Sequence, residues 1–331
     1  MYLKFALQNK PLKKQNILIN TLLSLALGGV LVYLVFNSID MDLFLQKLSG
    51  INYSWIYLSM FISIFEHILR GYRWNLLMRT SENNLSTYIT TNIMIVSYFF
   101  ALFIPRFNDF ARCYLISKTN KINISTSLGT VVSERIFDLI SLLLISAIFI
   151  LVEFDLFIGF VENYIISNIE FDPYTLIVIA LIFIALYFII KYFSKQSSFL
   201  SSRLKEFKAG VLSIKENYRN KGFIISTVLL WVIYFLMGYV IFFSFSETTD
   251  LGVNAGIAVL VAGSLGMIVP VNAGIGAYHF LVASILVSYN LDYDSGLFFA
   301  TILHTSQIIC LAVLGVISSI ILFFKIKSGN G

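Results

Sequence analysis

The 331-residue chain is 58% hydrophobic and only 12% charged, with a net charge of +5 and a mean hydropathy of +0.85. Water-soluble domains do not reach that balance, which excludes a soluble enzyme or a nucleic-acid-binding module and leaves an all-α polytopic membrane protein, with the lipid bilayer as its first partner. The two cysteines, Cys113 and Cys310, match no metal or redox spacing and read as free buried thiols; no cofactor or metal site is expected.

A hydrocarbon core of ~30 Å takes about 20 helical residues to cross. Uncharged runs of that order occupy 17–36, 174–190, 222–246 and 295–324, while 53–78 and 126–152 are apolar but carry ionisable residues. Together they predict about six full spans. The first run follows Lys4, Lys10, Lys13 and Lys14 and has no small-residue cleavage site, so it reads as a retained helix and not a signal peptide.

Loop charges sort by side. Lysines precede the first run, 153–173 holds Glu153, Asp155, Glu162, Glu170 and Asp172 without a cation, and 194–221 is rich in Lys and Arg. Glu247, Asp250, Asp292 and Asp294 mark two later acidic loops, and Lys325 and Lys327 follow the last span. Positive charge favours the cytoplasm, which places both termini there, in a bacterial-type inner membrane. Within 194–221, Phe199, Leu200, Leu204, Phe207 and Val211 alternate with cations. That pattern predicts a basic amphipathic linker lying on the inner leaflet, with a solvated linker as the alternative.

Two segments break the alternation. If 88–104 crossed the bilayer, the loop with Lys118 and Lys121 would fall outside. A re-entrant hairpin near 88–117, broken at Pro105, removes the conflict; two kinked full spans would retain it. Likewise 254–290, broken at Pro270 beside Asn272, Ala273, Gly274 and Gly276, lies between two acidic loops and is expected to enter and leave on the outer side. Proline interrupts a helix, and the return arms of about 9 and 14 residues span only ~14 and ~21 Å. Broken helices in opposite orientation point to an inverted repeat with a midplane substrate site.

The ionisable residues at depth are the candidate site. On 126–152, Glu134 and Asp138 are four apart and Arg135 lies three before Asp138, so the three can interact along the helix. Each is costly against lipid, roughly 2.5–3.5 kcal/mol on insertion scales, and must face protein or water. Arg106, Asp109 and Arg112 of the first hairpin are the expected partners. The cluster reads both as a structural ion-pair network and as a phosphate grip, for which guanidinium is well shaped. Glu66, Arg70 and Arg73, near the cytoplasmic end of 53–78, read as an interfacial anchor with snorkelling side chains. His279, after the second break, and His304 with Gln307 on the last span suggest a proton relay or a polar wall; hydrogen-bonded core histidines are the plain alternative.

With these residues in view, "IPRFNDFAR" resembles the Pro-Arg-x-Gly-[Glu/Asp]-x-x-Arg signature of the lysylphosphatidylglycerol synthase transmembrane family, the flippase-like membrane half of multiple peptide resistance factor proteins. "GTVVSERIFDLI" is similar to that family's Glu-Arg-x-x-Asp helix, and "PVNAGIGAYH" to its Pro-x-x-Gly-Gly-x-Gly turn. "GLFFATILHTSQ" resembles the histidine-bearing last helix of some members. Asn108 and Asp109 stand where Gly-Glu or Gly-Asp is usual, and Ala273 where the first glycine of the second turn is common.

The resemblance implies one flippase-like domain over 1–331 that moves an anionic or aminoacylated phospholipid between leaflets. Arg106, Asn108, Asp109, Arg112, Glu134, Arg135 and Asp138 would meet the headgroup, with Pro270, Asn272, Gly274, Gly276 and His279 forming the second hairpin. No soluble transferase domain fits in 194–221, so the chain is expected to be a transporter and not an enzyme. The alternatives are a partner subunit of a separate lipid synthase, a membrane-embedded lipid or glycosyl transferase using the Asp-x-Asp of 292–294, and a small-solute transporter. A homo-oligomer is compatible with each.

Overall fold

The computed structural model describes residues 46–78, 85–104, 107–120, 122–161, 220–269 and 271–328. The expected spans at 17–36 and 174–190, nearly all of the basic linker, and Pro105, Arg106 and Pro270 lie outside the described residues. Among the described residues every element is helical.

Helix α1 (Tyr53–Met78) leads into α2 (Thr87–Ala101), α3 (Asn108–Asn120) and α4 (Ile124–Val152). Helix α4 starts where the Asn123 side chain accepts the Ser125 N–H at 3.2 Å, satisfying one of the donors that every helix start leaves over. Helix α5 (Phe154–Val161) corrects the expectation of an acidic loop from 153. Its sequence, FDLFIGFV, is apolar enough to pack Leu156, Phe157 and Phe160 onto the core.

Asn220 caps α6 (Lys221–Tyr239) through the Phe223 N–H, and the helix tightens into a 3-10 turn over Val240–Ser244. There follow α7 (Val253–Ile268), a 3-10 turn at Asn272–Gly274, α8 (Ala277–Val287) and α9 (Tyr293–Ser328). Helices α4, α6 with its 3-10 end, and α9 are long and apolar enough to cross a membrane. Their outward faces carry exposed Leu143, Leu144, Ile225, Val228, Val313 and Ile317.

Two apolar clusters mark the ends of the bundle. At one end Trp74, Leu85, Ile116, Ile122 and Leu322 pack together, which gathers the end of α1, the start of α2, the α3–α4 junction and the end of α9. Phe223, at the start of α6, packs on Leu76 and Leu77 nearby. Lys118, Lys221, Lys325 and Lys327 belong to these helix ends, so this is the basic end. At the other, Ile51, Phe149, Phe245, Ala255, Leu286 and Leu291 share a cluster, beside Glu153, Glu247, Asp250, Asp292 and Asp294. Lys47 lies 3.5 Å from Glu247 and donates to Ser295, while Asn254 donates to Glu153 at 2.5 Å.

These ends fix the course of the short helices. The α2–α3 pair leaves the basic end and returns to it, and the α7–α8 pair does the same at the acidic end. At about 16–24 Å, each of these four helices is shorter than a ~30 Å hydrocarbon core. Helix α9, ~54 Å long, runs past both pairs. Its Gly315 meets Phe99, near the end of α2, and its His304 stacks on Tyr278 of α8 at 4.8 Å between ring centroids. Those two contact points lie ~16 Å apart along α9.

Candidate functional site

The charged site begins where α1 and α2 touch. A Cβ on Gly71 would sit 2.5 Å from the Thr91 Cα, so only glycine permits this approach, and the Thr90 hydroxyl donates to the Gly71 carbonyl at 2.9 Å. Trp74 donates to Thr130 at 3.2 Å, which ties α1 to α4. Arg73 is thereby directed inward at α4.

Six side chains then close a ring of alternating charge. Arg73 bonds Glu134 at 3.0 Å and Asp138 at 2.6 Å, and Arg112 bonds Glu134 at 2.7 Å and Asp109 at 2.9 Å. Arg135 bonds Asp109 at 2.9 Å and lies 3.6 Å from Asp138, which completes the circuit. Three arginines and three carboxylates sum to zero charge, as burial in a low-dielectric interior requires.

The ring has a closed half and an open half. The side chains of Arg73, Arg112 and Glu134 are at most 1% exposed. Those of Asp109, Asp138 and Arg135 are 34%, 25% and 40% exposed. One arginine flanked by two carboxylates therefore forms the accessible edge. Asn108 steadies that edge by donating to Asp109 at 3.2 Å, and the Trp74 ring backs Arg112, 5.2 Å from its guanidinium carbon.

A satellite pair adjoins the ring. Glu66 pairs with Arg70 and lies 2.7 Å from His67 Nδ1; Arg70 donates to Tyr98 and to Tyr234 at 2.8 Å. Tyr98 also accepts from Arg135 at 3.4 Å, which connects satellite and ring.

Of the residues singled out from the sequence, Asp109, Arg112, Glu134, Arg135 and Asp138 come together, with Asn108 at their edge. The third arginine among the described residues is Arg73. Reading Glu66, Arg70 and Arg73 as a snorkelling anchor is corrected: Glu66 and Arg73 are buried, because the Gly71 crossing turns this face inward. A signal for this was present, since 66, 70 and 73 share one helical face that would otherwise meet lipid. Tyr98 and Tyr234 were missed; nothing in their local sequence separates them from lipid-facing aromatics.

The second set of residues forms its own site. The turn after α7 holds Ala273, Gly274 and Gly276 at φ values of 49°, 71° and 87°, the left-handed region that glycine tolerates and alanine does not favour. Asn272 begins the 3-10 turn. His279 Nδ1 accepts the Gly276 N–H at 3.2 Å, and the imidazole rings of His279 and His304 lie 5.0 Å apart. Gln307, one turn along α9, donates to Ser59 at 2.9 Å and so joins α9 to α1 and not to the histidines. Of the Asp-x-Asp at 292–294, Asp292 is a helix cap, taking the Ser295 N–H at 2.7 Å and its hydroxyl at 2.8 Å. Cys113 and Cys310 are free and buried.

This architecture defines an all-helical, multi-pass membrane protein. The chain belongs to the family described as the lysylphosphatidylglycerol synthase TM region, which it matches over residues 21–315. It is also 26% identical, over 201 residues, to a UPF0104 membrane protein of Methanocaldococcus jannaschii, a match covering 60% of this chain and 82% of that protein. No solved structure matches.

Proposed function

We propose that the protein is a lipid translocase of flippase type, carrying an anionic or aminoacylated phospholipid headgroup between the leaflets of a cytoplasmic membrane. The observation that carries this reading is the open edge of the ring: Arg135, accessible and held between Asp109 and Asp138. A lipid phosphate takes the place of a carboxylate on Arg135, where guanidinium offers a planar pair of donors. The carboxylate released in this exchange receives a cationic group on the headgroup where one is present. Arg73, Glu134 and Arg112 stay paired and serve as the fixed frame.

In this reading the α2–α3 and α7–α8 pairs are re-entrant hairpins of opposite orientation whose tips flank the middle of α9. Non-helical backbone at that depth is tolerated where it lines a cavity or is buried in protein. The positive-inside rule, applied to Lys118, Lys221, Lys325 and Lys327, supports a cytoplasmic position for the basic end. Acyl chains remain in lipid while the headgroup passes the ring.

The test is the accessibility of fluorescent phospholipid headgroups in liposomes containing the purified protein. Leaflet exchange is expected with the wild type, reduced about tenfold or more in Arg135→Gln, the effect of losing one charge-assisted contact, and partly restored in Arg135→Lys. Absence of exchange with a well-folded wild type, or full exchange in Arg135→Gln, overturns the reading.

A further inference from the structure

We propose that His279 and His304 form a proton-binding clamp on the turn of the second hairpin, closed when both imidazoles are neutral and released when His279 takes a proton on Nδ1. The turn between α7 and α8 contains three left-handed residues, one of them Ala273, so its backbone does not hold this shape by preference. Two side chains hold it instead. His279 occupies the third position of α8 and reaches back to accept the N–H of Gly276, the residue preceding the helix. Glutamate and glutamine fill this role in the ordinary capping box. From α9, His304 stacks on Tyr278 and sets its ring 5.0 Å from that of His279.

The hydrogen bond from Gly276 sets the chemistry. To accept it, His279 Nδ1 must be without a proton, and a proton added there turns the acceptor into a second donor facing the first. The contact breaks, and the new charge lies against His304, whose ring is 5.0 Å away. On the described helices packed around the turn, few ionisable groups stand beside it. Helix α7 carries no ionisable side chain and α8 carries only Tyr278 and His279. Toward them α9 presents His304, stacked on Tyr278. The charged ring cannot perform this function, because its carboxylates are all paired with arginines. Histidine is the side chain whose unperturbed charge change falls between about pH 5 and 8, and the clamp is tested across that range.

The readout is the turn itself, so the clamp can be tested apart from lipid transport. In a Cys113→Ala, Cys310→Ser background, a cysteine is placed at Ile275, inside the turn, and in a parallel protein at Ser246, in the exposed loop at the acidic end. Labelling by a small water-soluble thiosulfonate is measured in liposomes as the ratio of the two rates, which cancels the pH dependence of thiol reactivity. The ratio is expected to rise severalfold from roughly pH 7.5 to 5.5 in the wild type. In His279→Asn, whose amide oxygen accepts from Gly276 without titrating, it should stay low and flat. In His279→Ala it should be high at every pH.

A flat wild-type ratio, or a rise that survives in folded His279→Asn, overturns the clamp. Nitrogen-15 NMR of the three histidines follows the same protonation directly in the wild-type side chains. Protonation of His279 Nδ1 over that range is expected, and an Nδ1 that stays bare throughout rejects the proposal.

Discussion

The α2–α3 pair is held by charge, and the α7–α8 pair by close packing and two histidines. Asp109 and Arg112 bind α3 to Glu134 and Arg135 of α4, and Arg73 brings in α1, so one network fixes three helices. Among the described residues the α7–α8 pair shows no such ion pairs. Its turn rests on left-handed residues, on Gly266, where a Cβ would meet the Tyr278 Cα at 2.6 Å, and on two histidines. The difference bears on mechanism, since an ion pair can exchange one partner for a ligand of the same sign and a packed turn cannot. In the proposed function, recognition therefore belongs to the first hairpin and gating to the second.

The sharpest way to break the comparison is at Glu134. Glu134→Ala removes the shared partner of Arg73 and Arg112, both buried, and leaves three arginines facing two carboxylates, one cation uncompensated at the closed half. The expected cost is about 3–5 kcal/mol, read from denaturant unfolding in mixed micelles. Arg135→Ala, on the open edge, is expected to cost only about 0–1 kcal/mol although it belongs to the same ring. Equal losses at the two positions would mean that the ring has no closed half.

The second hairpin should fail by packing. Gly266→Ala places a methyl group against the α8 backbone and is expected to cost about 1–3 kcal/mol, independent of salt, whereas the Arg135 pairs weaken as ionic strength rises. A stability loss in Gly266→Ala that tracks salt concentration would contradict this division. Ala273→Gly should act in the opposite direction. A left-handed residue other than glycine costs about 1–2 kcal/mol, and glycine returns part of that as unfolded-chain entropy. The net gain is below about 1 kcal/mol, detectable as a raised unfolding midpoint. If Ala273→Gly destabilises the protein, the left-handed angle of Ala273 is not a strain on the turn.

Much of this division was readable in the chain. Proline positions and loop charges marked two places where short helices stand in pairs, because a misplaced basic loop is a strong constraint. The spacing of Glu134, Arg135 and Asp138 marked an inward face, because lipid will not accept such a face. What closes the ring was not readable. Arg73 joins it only through the Gly71–Thr91 contact, a tertiary approach that leaves no local pattern, and its position near a helix end is equally that of a surface anchor. Tyr98 and Tyr234 share the same obscurity, since an aromatic ring beside lipid and one beside Arg70 have the same neighbours in sequence. The length of α1 was legible, but its rotation about its own axis was not.

A partly exposed charge contact at the acidic end sets a lower limit for the comparison. Lys47 approaches Glu247 at 3.5 Å. Partial burial acts to raise the Glu247 carboxyl, but its own backbone amide, the Ser246 hydroxyl and the Lys47 charge together hold it below the ordinary carboxylate range. A carboxyl lowered in the folded state adds stability that is present above its unfolded value of about 4.3 and is lost as pH falls through the lower folded value. Because Glu247 is exposed and screened by solvent, that contribution is expected to stay below about 1 kcal/mol. Unfolding midpoints of wild type and Glu247→Gln should therefore differ slightly at neutral pH and converge in acid, well below the range in which the histidine clamp responds. If the two proteins instead converge between about pH 5 and 7, where histidine titrates, then Glu247 and the clamp report one event, and the acidic end moves with the second hairpin.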